Sequence, residues 1–229
     1  MQGDADIAAA AALLAEPARA ALITAVIADG ALPVTDLAER ARIAPSTASE
    51  HLGRLVAGGF LNSEKRGRHR YYGLADPAVA AAVEALALVA PQPHVHSLRE
   101  ATRSELLREA RTCYDHLAGR IGVALARSLE RERVLVRCNG TYELGSKADA
   151  RLAPLGIDLP ELEGQRRPLV RGCLDWSERE LHVAGALGAA LAARLFDLGW
   201  IKRREGNRSV EVTVHGRAGL ASELGLDHL

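Results

Sequence analysis

The 229-residue chain has only three cysteines, no net charge and no apolar run approaching the roughly eighteen residues that a membrane-crossing helix requires. Each shortage excludes a class of protein. An odd cysteine count without a CxxC pair excludes a disulfide scaffold and predicts a reducing compartment. The alanine-rich start, Ile7 to Leu14, is too short for an anchor and has no basic flank before it, so neither a signal peptide nor a membrane span is expected, and the predicted location is the cytoplasm. With 29 basic against 29 acidic residues, any nucleic-acid contact has to come from local charge. What remains, at 48% hydrophobic content, is a globular protein long enough for one or two cored domains.

Local charge is there. Between Arg54 and Arg70, five basic residues (Arg54, Lys65, Arg66, Arg68, Arg70) stand against Glu64 alone, while Asp4, Asp6, Glu16, Asp29, Asp36 and Glu39 lie outside that stretch. The same stretch has an ordered punctuation. Val34 to Ala41 reads as a short helix and Arg42-Ile43-Ala44 as a turn. Pro45 opens a second helix, since its missing N–H is not needed in a first turn. Leu52 and Leu55 share that helix's buried face, leaving Ser46, Thr47, Ser49 and Glu50 as short polar groups near its N-terminus. Such side chains suit the major groove. Gly58-Gly59 ends the helix. Phe60-Leu61 and Tyr71-Tyr72 then read as strands flanking Glu64-Lys65-Arg66-Gly67-Arg68-His69-Arg70, a basic hairpin whose arginines would meet phosphate. Singly, these features describe a solvated loop and an ordinary exposed helix face; in this order they predict DNA binding.

The stretch resembles the ArsR/SmtB family of bacterial transcriptional repressors. The matching residues are Leu37-Ala38, Ser46-Thr47-Ala48-Ser49, His51-Leu52, Leu55, Gly59-Phe60-Leu61, and Arg66-Gly67-Arg68 with Tyr71-Tyr72-Gly73-Leu74, and the resemblance covers about residues 7 to 90. It implies a homodimeric repressor that leaves its double-stranded DNA operator when a small inducer binds. The expected DNA-contacting set is Pro45, Ser46, Thr47, Ser49, Glu50, His51, Arg54, Lys65, Arg66, Arg68, His69 and Arg70. Two metal-sensing arrangements of that family are not met. Pro33 and Thr35 stand where cysteines of the first helix would lie, and of the ligands on the last helix only Asp76 remains, in Asp76-Pro77-Ala78.

The predicted fold class is mainly α with small β-hairpins (α+β), divided as a winged helix-turn-helix and dimerisation domain over 1–90, a linker over 91–97 and a C-terminal domain over 98–229. Residues 5 to 15, 17 to 28 and 77 to 90 read as further helices of the first domain, and apolar stripes through Ile7, Leu13 and Leu14 and through Val79, Val83, Leu86 and Leu88 predict a dimer seam. The proline-broken Pro91-Gln92-Pro93-His94-Val95-His96 is the linker. From Leu98 to about Leu129, apolar residues recur at threes and fours and predict helix. Val134-Leu135-Val136 and Tyr142-Glu143-Leu144, around Asn139-Gly140, predict a hairpin.

The tail echoes the basic stretch about 140 residues on. Leu195, Gly199-Trp200-Ile201, Lys202-Arg203-Arg204, Gly206 and Val210 to Val214 answer Leu55, Gly59-Phe60-Leu61, Lys65-Arg66-Gly67 and the Tyr71-Tyr72 strand. Ser177 to Glu180 would cap a helix, with Gly185 to Gly188 as its turn. A degenerate winged-helix-like half follows, whose Ala189 to Ala193 helix has no polar face and should pack on protein.

Candidates for sensing lie in the C-terminal domain. Cys113 and His116 are expected three apart on one helical face, to be joined by Cys173 and His182 from a second helix; thiolate and imidazole suit zinc, copper(I) or a trivalent metalloid. Cys138 offers a third thiolate. Against a metal site stands ordinary core packing of Cys113 beside Leu117 and Ile121. The competing readings are a thiol switch at Cys113 activated by Arg111 and His116, a small-molecule pocket near Trp176 and Trp200, and a domain that only extends the dimer. An enzyme using Cys113 and His116 is a rival of another class. No oxyanion loop or phosphate-cradling glycine run accompanies the pair, and Asp115 is expected to point away, so no catalytic residue is assigned.

Overall fold

The computed structural model describes residues 5–91, 97–204 and 207–226, so most of the expected linker and Gly206 lie outside the described residues. The chain divides into two compact units, 1–83 and 84–229. In the first, α1 (Ile7–Leu14) is capped by Asp6, which accepts from the Ala9 N–H. Pro17 opens α2 (Pro17–Asp29), which is the buried spine of the unit. A short β1 (Leu32–Pro33) leads into α3 (Val34–Ala41), which ends at left-handed Arg42. Pro45 lies in the first turn of α4 (Pro45–Ala57), and Gly59 at φ 74° turns the chain out of it. The antiparallel strands β2 (Leu61–Arg66) and β3 (His69–Leu74) form the wing, and β1 pairs with β3 to complete the sheet in the order β1-β3-β2. Both strands are longer than the sequence suggested, because the pairing runs to Arg66↔His69 and leaves only Gly67-Arg68 at the tip. Then follows α5 (Pro77–Val89), which continues into the second unit.

The second unit is a tandem of one motif. After α6 (Leu98–Glu109), the hairpin β4 (Arg111–Cys113) and β5 (His116–Ala118) leads into α7 (Gly119–Arg131), the hairpin β6 (Leu135–Cys138) and β7 (Thr141–Leu144), and α8 (Ala148–Leu152). A 3-10 turn and α9 (Leu159–Glu163) intervene. The order then repeats as β8 (Arg171–Leu174), β9 (Leu181–Ala184), α10 (Gly185–Asp197), β10 (Ile201–Arg203), β11 (Val210–Val212) and α11 (Val214–Leu224). All four hairpins are two-stranded and antiparallel. Asn139 and Gly140 both take positive φ, as the tight turn of β6-β7 demands. Leu125, Leu129, Leu152, Leu187, Leu191 and Leu195 from both repeats share one core with Trp200.

Two expectations fail here. The helical stretch from Leu98 to Leu129 is interrupted at Ala110, whose backbone is extended, and Arg111 to Ala118 forms a hairpin. Every strand residue of that hairpin is buried, so it lacks the polar alternation that betrays a strand, and apolar spacing alone reads as helix. Ser177 to Glu180 caps no helix either. It is a turn between β8 and β9, wound around Asp175, whose carboxylate accepts from the Ser177 N–H, the Ser177 hydroxyl and the Glu178 N–H. The tail does hold helix, hairpin and helix in the echoed order, and α10 buries Leu187, Leu191, Ala192 and Leu195.

Candidate nucleic-acid interface and buried cysteine–histidine cluster

In α4, Ala48, Leu52 and Leu55 are fully buried and fix which side of the helix faces solvent. Pro45, Ser46, Thr47, Ser49, Glu50 and Arg54 are exposed and His51 half-buried. Glu50 and Arg54, one helical turn apart, hold each other at 2.7 Å. The wing places Lys65 opposite Arg70 and Arg66 opposite His69, all exposed. Arg66 pairs with Glu64 at 2.7 Å and lies over the Tyr71 ring, while Arg70 donates to the Ser63 hydroxyl at 3.3 Å. Arg68 sits at the tip, its Nε donating to His69 Nε2 at 3.2 Å. A polar helix face and a basic hairpin are thus presented by one small unit with a buried apolar core behind them.

The second unit brings Cys113, His116, Cys173 and His182 together, with one ligand atom of each within 4.8 Å of all the others. The route differs from two helices. Cys113 faces His116 across β4-β5, and Cys173 faces His182 across β8-β9, so each hairpin contributes a cross-strand Cys-His pair. The Sγ atoms are 3.9 Å apart and the two imidazoles stack at 5.1 Å between centroids. Glycines allow this approach. A Cβ on Gly119 (φ 80°) would stand 2.7 Å from the Arg108 carbonyl, and one on Gly185 (φ 85°) 2.7 Å from the Pro168 carbonyl. Gly122 and Gly188 bring each repeat's helix against the histidine of the other repeat.

Asp115 does not point away, as the helical reading required. In the hairpin turn its carboxylate lies 3.1 Å from His116 Nδ1 and 2.5 Å from Arg167. Nor does Arg111 prevail at Cys113, where its charge lowers the pKa but is outweighed. Its guanidinium is fully buried, pairs with Asp175 at 2.9 Å and stacks on Trp176. Asp175 also accepts from the Gly119 N–H at 2.7 Å, tying the second repeat to the first helix of the first. Burial works to raise the Asp175 pKa, but Arg111, Gly119 and Ser177 together hold it well below the usual carboxylate range. The contact between the thiols, with burial, pushes Cys113 up; that same contact draws Cys173 down, aided by both imidazoles. Burial pulls His182 down, whereas at His116 the bond to Asp115 and the nearby Cys173 sulfur outweigh it and raise the pKa. The exposed, low-pKa thiol expected at Cys113 is therefore not found there. Cys138 lies on β6, outside the cluster. Trp200 is packed into the core against Gly216 and Gly219.

Asp175 and Arg167 carry no signal as single residues. For Asp175 the trace is a repeat, Arg-x-Cys-x-Asp followed by His-x-Ala-Gly-x-x-Gly, present from Arg111 to Gly122 and, with a longer turn, from Arg171 to Gly188, while Arg167 lies outside it.

Among the described residues, no single helix is long and apolar enough to cross a membrane. A helix-turn-helix domain model matches residues 14–64. The chain is 40% identical over 220 residues to YdfF of Bacillus subtilis (strain 168), described as an uncharacterized HTH-type transcriptional regulator, covering 96% of this chain and 97% of that one. Solved structures similar to it include the homodimeric winged helix-turn-helix DNA-binding domain Mb0332 from Mycobacterium bovis, described as a possible ArsR-family regulator (26% identity, 42% of this chain and 100% of that one, TM-score 0.34). HlyU from Vibrio cholerae is another, at 26% identity, 38% of this chain, 90% of that one and TM-score 0.34. With a relative matched along almost its whole length and a helix-turn-helix model covering α4, the chain belongs to the helix-turn-helix transcriptional regulators.

Proposed function

We propose that this regulator is a dimeric, non-enzymatic repressor whose first unit reads an operator and whose second unit senses the inducer. The observation that carries the first half is the joint exposure of Ser46, Thr47 and Ser49 on α4 and of Lys65, Arg68 and Arg70 on the wing. A helix seated in the major groove puts hydroxyls at base edges, and wing cations meet phosphate. Two copies double these contacts, which a chain without net charge needs for affinity. Ile7 of α1 and Val89 of α5, 74% and 80% exposed, are large apolar groups suited to a seam between copies. The second unit offers no equivalent reading face, since α10 turns its apolar residues inward. What it offers is a buried polar cluster joining two repeats, and a ligand there would bias one arrangement of the unit over another.

The test is operator binding by the full chain. Arg68→Ala should weaken binding to every DNA sequence and lower the salt slope by about one. Unchanged affinity and slope would remove the wing from the interface.

The 3.9 Å between the thiols favours one second reading, a redox switch. A peroxide would take two electrons and two protons from Cys113 and Cys173, closing the S–S bond and leaving as water. Loss of two alkylatable thiols per chain after peroxide, together with altered operator affinity, would support it. Retention of all three would dispose of it.

A further inference from the structure

We propose that Cys113, His116, Cys173 and His182 form a tetrahedral site for a divalent, thiophilic metal ion of the zinc class. Geometry comes first. Zinc bonds of about 2.3 Å to sulfur place two thiolates of a tetrahedron ~3.8 Å apart, and the Sγ atoms here lie 3.9 Å apart. All four ligand atoms fall within 4.8 Å of one another, in a buried place reached from two separate hairpins.

Unsatisfied polarity comes second. His116 Nε2 and both ring nitrogens of His182 are buried without a hydrogen-bond partner, although His116 and His182 are 3% and 1% exposed. Such groups are costly to leave unpaired in a buried place, and a shared cation satisfies the convergent ones at once. His116 is already oriented for it, because Asp115 occupies Nδ1 and leaves Nε2 facing the cluster. At His182, Nδ1 faces Asp175 Oδ2 at 3.5 Å, which leaves Nε2 as the ligand. Carboxylates behind metal-bound imidazoles fix the tautomer in this manner.

Charge decides the class of ion. Asp175 is neutralised by Arg111 and Asp115 by Arg167. The charge left to compensate is that of two thiolates, which a divalent ion matches and a monovalent one does not. A trivalent metalloid prefers three thiolates, and Cys138 lies outside the cluster. Four protein ligands close the coordination sphere, so the ion would clamp the two repeats together. The inference deepens the sensing role assigned above to the second unit, and rests on it only for its effect on operator binding.

The full chain, purified under reducing conditions and stripped with a chelator, is titrated with cobalt(II) and then with zinc(II). One equivalent of cobalt per chain should give intense visible bands of tetrahedral coordination and a near-ultraviolet thiolate charge-transfer band, both abolished by one equivalent of zinc. Cys113→Ser and Cys173→Ser should each lose most of the charge-transfer intensity, while Cys138→Ser keeps it. In the unsubstituted protein, zinc should slow alkylation of Cys113 and Cys173 at least tenfold and leave Cys138 unaffected, a readout independent of whether the serine variants fold. Weak octahedral bands, bands that survive in Cys113→Ser and Cys173→Ser, or equal alkylation with and without zinc would overturn the site. Arg68→Ala protein should bind cobalt normally, so failure of the operator reading and failure of the metal reading are separately visible.

Discussion

Arg111 shows how one side chain binds the second unit together. It is fully buried, yet its guanidinium meets Asp175, the Leu107 carbonyl, the Ser177 hydroxyl and the Trp176 ring. Removing one partner of a buried pair leaves an uncompensated charge, so Arg111→Ala should destabilise the second unit by about 3–5 kcal/mol, measured by urea unfolding. A loss under about 1 kcal/mol would mean that water reaches Asp175 in the variant. In the first unit the comparable residue is Ser46, exposed near the start of α4. Ser46→Ala should change which bases are preferred while leaving the salt slope intact, as a selection from randomised operators would reveal. The exposed polar residues of α4 were legible in the sequence because exposure near a helix start depends only on local spacing from Leu52 and Leu55. Asp115, Asp175 and Arg111 were not, because the contacts Asp115–Arg167, Asp175–Gly119 and Arg111–Asp175 span 52 to 64 residues of chain.

At the scale of elements, the hairpins of the second unit depend on backbone closeness that only glycine permits. A Cβ at Gly188 would stand 2.4 Å from the Val183 carbonyl and 3.2 Å from His116 Cβ. Gly188→Ala should therefore cost about 1–3 kcal/mol by overpacking and push the two Cys-His pairs apart. Denaturant midpoints together with cobalt affinity check both effects, and a variant with wild-type values of each would refute the close approach. The elements of the first unit were readable because each carries its own punctuation: Pro17 and Pro45 at helix starts, Gly59 at a helix end, Gly67 at the wing tip. β4-β5 was missed because a fully buried hairpin has neither polar alternation nor a Gly or Pro at its turn, where Tyr114 takes the positive φ.

At the scale of the whole molecule, the first unit carries a solvent-facing polar helix and the second a buried polar cluster, each unit with its own core. Dimerisation through apolar helices predicts that Ile7→Asp combined with Val89→Asp yields a species of about half the mass in sedimentation equilibrium, with operator affinity reduced. An unchanged mass would place the dimer contact elsewhere. By itself the sequence determined the helix-turn-helix and the wing and marked Cys113, His116, Cys173 and His182 as candidates, because capping, turn chemistry and residue type act locally. Only the tertiary structure decided that these four residues meet, from two hairpins of a repeated motif. Bringing Cys113 to Cys173 across 60 residues is the work of a shared core, of Gly122 and Gly188, and of Asp175 reaching back to the start of α7.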